Sequence, residues 1–218
     1  MIIEGTAKSL EERVFETLED EILSGKLKSG EALTELSLSD RLGVSRTPIR
    51  GALQRLADEG IVDMLPNRGA VVVGVTERDL VDIYKIRMRL EGLSAAIAAE
   101  RMSEADKKRL ADSVELSEFY MKKDDAEHLK ELDTEFHSII YAATGSRMLS
   151  KMLSNMHKSI KSYRKMSLSV GGRHEKSIEE HRDVLNAILV GNSAEADRLM
   201  SEHISAALDN ILKSLNAE

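Results

Sequence analysis

Apolar residues recur at Leu10, Val14, Leu18, Ile22 and Leu23, the spacing of an amphipathic helix, so a helix is predicted over 10–24 with Gly25 as its stop. The stretch "GKLKSGEALTE" shows no periodicity and reads as a loop. A short helix is predicted near 35–42, ending at Gly43, and a third from Ser45 to about Gly60. Ser45 is a capping type there, and Pro48 sits in the first turn, where a missing N–H does no harm. "IVDMLPNRGAVVVGV" reads as two short strands around the turn "PNRG", with Gly69 able to supply a positive φ. From Thr76 onward the strand signal disappears. Six amphipathic helices are predicted over 76–102, 103–122, 124–144, 146–168, 177–191 and 193–215, with "SLSVGGRH" (167–174) as the clearest loop. Two domains follow: residues 1–75, three helices and a hairpin, and residues 76–218, all helical.

Helix, short helix, turn, helix and hairpin is the order of a winged helix-turn-helix. On the third helix Ile49, Ala52, Leu53 and Leu56 share an inward face, leaving Arg46, Thr47, Arg50, Gln54 and Arg55 on the rest. Between Leu42 and Leu56 there is no acidic residue, although the chain carries a formal net charge of -7. Even residues 1–75 hold 9 Lys and Arg against 13 Asp and Glu. A carboxylate-free stretch in an acidic protein suits the approach of a polyanion, for which the local patch matters more than the sum. Arginine can donate two parallel hydrogen bonds to a guanine edge, and Arg and Thr both bind phosphates. Arg68, at the hairpin tip, could lie over the DNA backbone or in the minor groove. On spacing alone, an ordinary solvated helix face remains the alternative.

Composition narrows the class. With 218 residues and 42% apolar content the chain can bury a core. Its longest apolar runs, such as "GAVVVGV", fall far short of the roughly 20 residues of a membrane span. The start "MIIEGTAKSL" lacks the basic and apolar regions of a secretory signal, and there is no cysteine for disulfides or thiolate metal sites. A cytoplasmic, soluble protein is expected. Aromatics make up only 3%, so the helical core must use Leu, Ile, Val, Ala and the ten Met.

Three of the six histidines fall on apolar stripes. His137 shares one with Leu129, Leu132, Phe136 and Ile140, His181 another with Ile178, Val184 and Leu185, and His203 a third with Met200 and Ile204. His128, His157 and His174 read as polar or loop positions. Asp133 stands four residues before His137, on the same helix face. Burying three imidazoles and a carboxylate is costly unless each is satisfied, and a divalent metal satisfies all four together. Separately satisfied core histidines are the competing reading. Enzyme signatures fail: "HEKSI" lacks the second histidine of a zinc-protease helix, and Gly25-Lys26 lacks the rest of a phosphate loop. No nucleophile is evidently paired with a base. A metalloenzyme is therefore a minor alternative.

The run "LTELSLSDRLGVSRTPIRGALQRLADEGIVDMLPNRGAVV" resembles the DNA-binding signature of GntR-family bacterial transcription regulators. Residues 76–215 resemble the FCD ligand-binding domain of the FadR subfamily, through "YKIRMRLEGLSAAIAA", "LDTEFHSIIYAATGS" and "EEHRDVLNAILVGNSAEADRLMSEHI". Six helices point to the shorter, VanR-like variant. The resemblance implies that Arg46, Thr47 and Arg50 contact DNA, with Asn67, Arg68 and Gly69 as the wing turn. It also implies that Asp133, His137, His181 and His203 hold a divalent transition metal, zinc or nickel first, with Arg87 facing a small organic acid effector. A homodimer on a palindromic operator is implied, repression being the family's commoner mode, with no enzymatic activity and no membrane partner. Gly51 departs from the family, which usually has glutamate there, and so removes a negative charge beside Arg50.

Overall fold

In the computed structural model, residues 9–66, 68–160, 163 and 173–215 are described. The chain divides into two compact units, residues 1–77 and 78–218. In the first, α1 (Leu10–Leu23) begins at Ser9, whose Oγ accepts from the Glu12 N–H at 3.1 Å. Strand β1 (Ala32–Leu33) leads into α2 (Glu35–Leu42), capped by Thr34 and closed by Gly43 at φ +67°, a left-handed conformation that glycine adopts without a Cβ penalty. Helix α3 (Arg46–Asp58) follows after two residues. Ser45 has cap backbone angles, but its side chain makes no cap hydrogen bond.

Strands β2 (Val62–Leu65) and β3 (Gly69–Val72) form the expected hairpin. The loop expected after Gly25 contains β1, and β3 lies between β1 and β2 in an antiparallel sheet, pairing Leu33 with Ala70 and Leu65 with Gly69. A two-residue strand has no alternation to detect, and only its partner defines it. Val14, Leu18, Ile22, Leu38, Ile49, Leu53, Leu56 and Val72 form one buried cluster. Each such aliphatic side chain contributes about 1.5–3 kcal/mol by leaving water.

The second unit consists, among the described residues, of α4 (Glu77–Arg101), α5 (Glu104–Met121), α6 (Ala126–Ala143), α7 (Arg147–Ser159), α8 (Arg173–Leu189) and α9 (Ser193–Leu215). Helix α5 packs on α6 and α8, and α8 on α9. Gly92 lets α4 approach α9 closely: a Cβ there would overlap the side chains of Asp197 and Ser201. Ser201 in turn donates to the Met88 carbonyl at 2.9 Å. Helix α8 starts at Arg173, four residues before the sequence suggested. Arg173 is buried and ion-paired to Glu180 two turns further along the same helix, so a pairing within the helix and the burial of its first residue extend it beyond what weak local propensity suggested. Residues 161, 162 and 164–168 of the expected fourth helix and 167–172 of the expected loop lie outside the described residues.

Candidate metal centre and nucleic-acid interface

Helix α3 carries its apolar side into the core and leaves Arg46, Thr47 and Arg50 exposed. Arg50 is held by α2: its Nε and Nη2 donate to the two Glu35 oxygens at 2.7 and 2.8 Å, a bidentate clasp that fixes the guanidinium plane. Arg55 does not share the outer face. Its guanidinium sits 4.1 Å over the Phe15 ring and pairs with Glu12 of α1 at 2.9 Å, so it ties α3 to α1. Gln54 donates to Asp58 at 3.1 Å.

Gly51 faces α1: a Cβ at that position would overlap the Glu11 carboxylate, which occupies the space beside it. At the hairpin tip Arg68 is exposed, and Asn67 lies outside the described residues. Gly69 is buried at φ +91°, and a Cβ there would run into the Leu33 carbonyl of β1. Its glycine is thus required by the sheet itself.

In the second unit, one turn of α6 presents Asp133 and His137, α8 presents His181 and α9 presents His203. One donor atom from each lies within 4.8 Å of the others, and the three histidines are buried. His181 Nε2 is 3.3 Å from His203 Nε2 and 3.7 Å from Asp133 Oδ1. Phe136 stacks on the His181 ring at 3.9 Å and fixes its plane.

Two of the three imidazoles are oriented by carboxylates. His203 Nδ1 donates to Glu180 Oε2 at 2.7 Å, and Arg173 grips the same Glu180. A carboxylate only accepts, so Nδ1 carries the proton and Nε2 offers its lone pair. Burial, opposed by Glu180, pushes the His203 pKa down to about 4. Burial would raise the Glu180 pKa, but the hydrogen bonds from His203 and Arg173 bring it to about 2. His137 Nδ1 approaches Glu91 Oε2 to 2.7 Å, an ion-pair contact off the hydrogen-bond line. A carboxylate behind an imidazole is the usual support of a metal-binding histidine.

Glu91 is fully buried and also accepts from Arg87 Nε at 2.6 Å. Burial opposes its ionisation, yet Arg87 and His137 hold its pKa well below the usual carboxylate range. Arg87, 2% exposed, lies over the Tyr84 ring and is therefore engaged within α4. A small cleft, partly open to solvent, is lined by Ser117, Asp133, His174, Ser177 and His181 among others; Arg87 does not line it.

Sequence reading missed His157. It placed this residue on a polar face, but the ring is buried, 5.3 Å from the His137 ring, with Nδ1 3.4 Å from the Tyr141 hydroxyl. Burial, then Arg87, pushes its pKa well below the usual imidazole value. The signal was present: Leu153, His157 and Ile160 form a buried i, i+4, i+7 stripe. Glu91 was signalled likewise, by a charge inside the stripe Leu80, Tyr84, Arg87, Glu91, Ala95.

Comparison with known proteins agrees with this architecture. Residues 10–72 match the bacterial regulatory proteins of the gntR family, and residues 82–206 match the FCD domain. The gluconate operon transcriptional repressor of Bacillus subtilis is 31% identical over 178 residues, covering 80% of this chain and 70% of the repressor. The HTH-type transcriptional repressor RspR of Escherichia coli is 22% identical over 200 residues, covering 92% and 88%. Among solved structures, E. coli McbR/YncC shares the fold with a TM-score of 0.76, at 24% identity over 95% of this chain and 99% of that one. The domains and relatives are transcription regulators rather than enzymes, and no helix among the described residues is long and apolar enough to cross a membrane. The chain belongs to the GntR family of DNA-binding transcriptional regulators, with an FCD domain C-terminal to its helix-turn-helix.

Proposed function

We propose that this regulator is a homodimeric repressor whose operator affinity is set by a small carboxylate bound at a divalent metal. The division of labour is residues 1–75 for DNA and residues 76–218 for effector binding and dimerisation. Helix α3 of each protomer enters the major groove of one operator half-site, with Arg46, Thr47 and Arg50 at base edges and phosphates. The wing turn at Asn67, Arg68 and Gly69 follows the backbone, Arg68 supplying the charge and Gly69 the turn.

One observation carries the metal reading: Asp133, His137, His181 and His203 converge to within 4.8 Å, with the histidines buried. Three imidazole nitrogens and one carboxylate oxygen fit zinc or nickel. Glu180 accepts from the His203 Nδ1–H, the support that such a ligand needs, and Glu91 lies 2.7 Å from His137 Nδ1 behind a second imidazole. A bound cation would supply a Lewis-acid position for an effector carboxylate. Arg87, already buried and cationic beside Glu91, adds positive charge on the same side as His137. The effector must bind the DNA-competent and DNA-incompetent arrangements unequally, or it shifts nothing.

The test is elemental analysis of the purified protein and of His181→Ala, paired with gel-shift titrations at fixed metal and increasing organic acid. Full metal occupancy in His181→Ala, or an operator affinity indifferent to metal and acid alike, refutes the proposal.

A further inference from the structure

Leu36, in the first turn of α2, is 55% exposed, more than any other large apolar side chain of the first unit among the described residues. A lone exposed leucine is ordinary on a protein surface, so its place decides what it means. Successive residues turn about 100° around a helix, which sets Leu36 about 160° from Leu38. Leu38 is buried in the core, so Leu36 stands on the far side of α2. Arg41 pairs with Glu21 of α1 at 2.7 Å and marks the flank of α2 that meets α1. Leu36 lies about 140° round the helix from Arg41, on the other flank. The neighbouring Glu35 shows what that flank meets: both of its carboxylate oxygens hold Arg50, whose side chain is exposed on α3. Leu36 therefore stands beside the Glu35–Arg50 clasp, at the edge of the surface that carries Arg46, Thr47 and Arg50.

A leucine side chain neither donates nor accepts a hydrogen bond. Pressed on a phosphate or on a polar base edge, it would strip water from that group and put nothing in its place. The apolar group that the major groove exposes is the C5-methyl of thymine. Taking as given the reading that α3 enters the major groove with Arg50 at its bases, we propose that Leu36 packs on a thymine methyl in the same half-site. It is then a specificity-determining residue of α2, favouring a thymine at one position that the arginines of α3 do not read.

The experiment uses the full-length protein. A site enriched by it from a random duplex pool is rebuilt with each thymine in turn replaced by deoxyuridine, which lacks only the methyl. In gel-shift titration one such replacement should weaken binding about fourfold, the worth of burying one methyl group. Leu36→Ala should bind the thymine and deoxyuridine forms of that position equally, whereas Leu36→Met, still apolar, should keep a preference for thymine. Both variants should melt close to the unsubstituted protein, because the side chain is exposed, and the deoxyuridine scan itself needs no variant. A scan in which no replacement weakens binding, or a penalty that persists undiminished in Leu36→Ala, overturns this inference alone. Undiminished binding by Arg50→Ala removes the groove reading on which it rests.

Discussion

Glu91→Gln isolates the buried pair at the centre of the second unit. The substitution keeps the shape of the side chain and removes its charge, leaving Arg87, 2% exposed, without its counterion at 2.6 Å. Breaking one side of a buried ion pair costs about 3–5 kcal/mol, because the surviving charge stays out of water. At about 2–4 °C per kcal/mol for a protein of this size, the melting temperature should fall by roughly 6–20 °C. The assay can be confined to the right unit. All four tyrosines lie within residues 78–218 and there is no tryptophan, so the tyrosine band of the near-ultraviolet circular dichroism follows that unit alone. The double variant Arg87→Met, Glu91→Met, which removes both charges, should recover most of the loss. Because Glu91 also supports His137, Glu91→Gln should weaken zinc binding by about 10–100-fold in equilibrium dialysis. A loss below about 1 kcal/mol in the single variant would show that Arg87 is satisfied by other groups, and the account of this pair would be wrong.

Three further outcomes follow from the first unit. Gly69→Ala should destabilise it by about 2–4 kcal/mol in urea unfolding, since both the positive φ and the Leu33 carbonyl oppose a Cβ; a neutral result would mean that β1 does not pair as described. Gly51→Ala should change stability by less than about 1 kcal/mol, the gain in helix propensity being offset by displacement of the Glu11 side chain, whereas Gly51→Glu, which sets a second carboxylate against Glu11, should be clearly less stable than Gly51→Ala in the same urea unfolding assay. Arg46→Ala and Arg50→Ala should each weaken operator binding by about 1–3 kcal/mol in gel-shift titration if they read bases, and unchanged affinity removes them from the contact set.

What the sequence disclosed was whatever repeats along one element. The stripe from Leu10 to Leu23 marks α1, and four-residue spacing sets Asp133 and His137 side by side on α6. His181 and His203 were visible because a histidine interrupts an otherwise apolar face. What stayed hidden lies between elements. Strand β1 exists through its pairing with Val71 and Ala70, nearly forty residues away. Arg55 is drawn inward by Glu12, on a helix whose own pattern says nothing of it. Glu180 looks like a surface charge in one dimension, and only the packing of α8 on α9 turns it towards His203.

The clasp between Glu35 and Arg50 bears on how such a regulator searches a chromosome. If Arg50 contacts DNA as proposed, a stretch of random duplex offers it a phosphate in exchange for a carboxylate, one anion for another, with little net gain. A guanine in register offers two aligned acceptors. On that reading residence on the wrong sequence is kept short, and discrimination comes as much from what the arginine must give up as from what it finds.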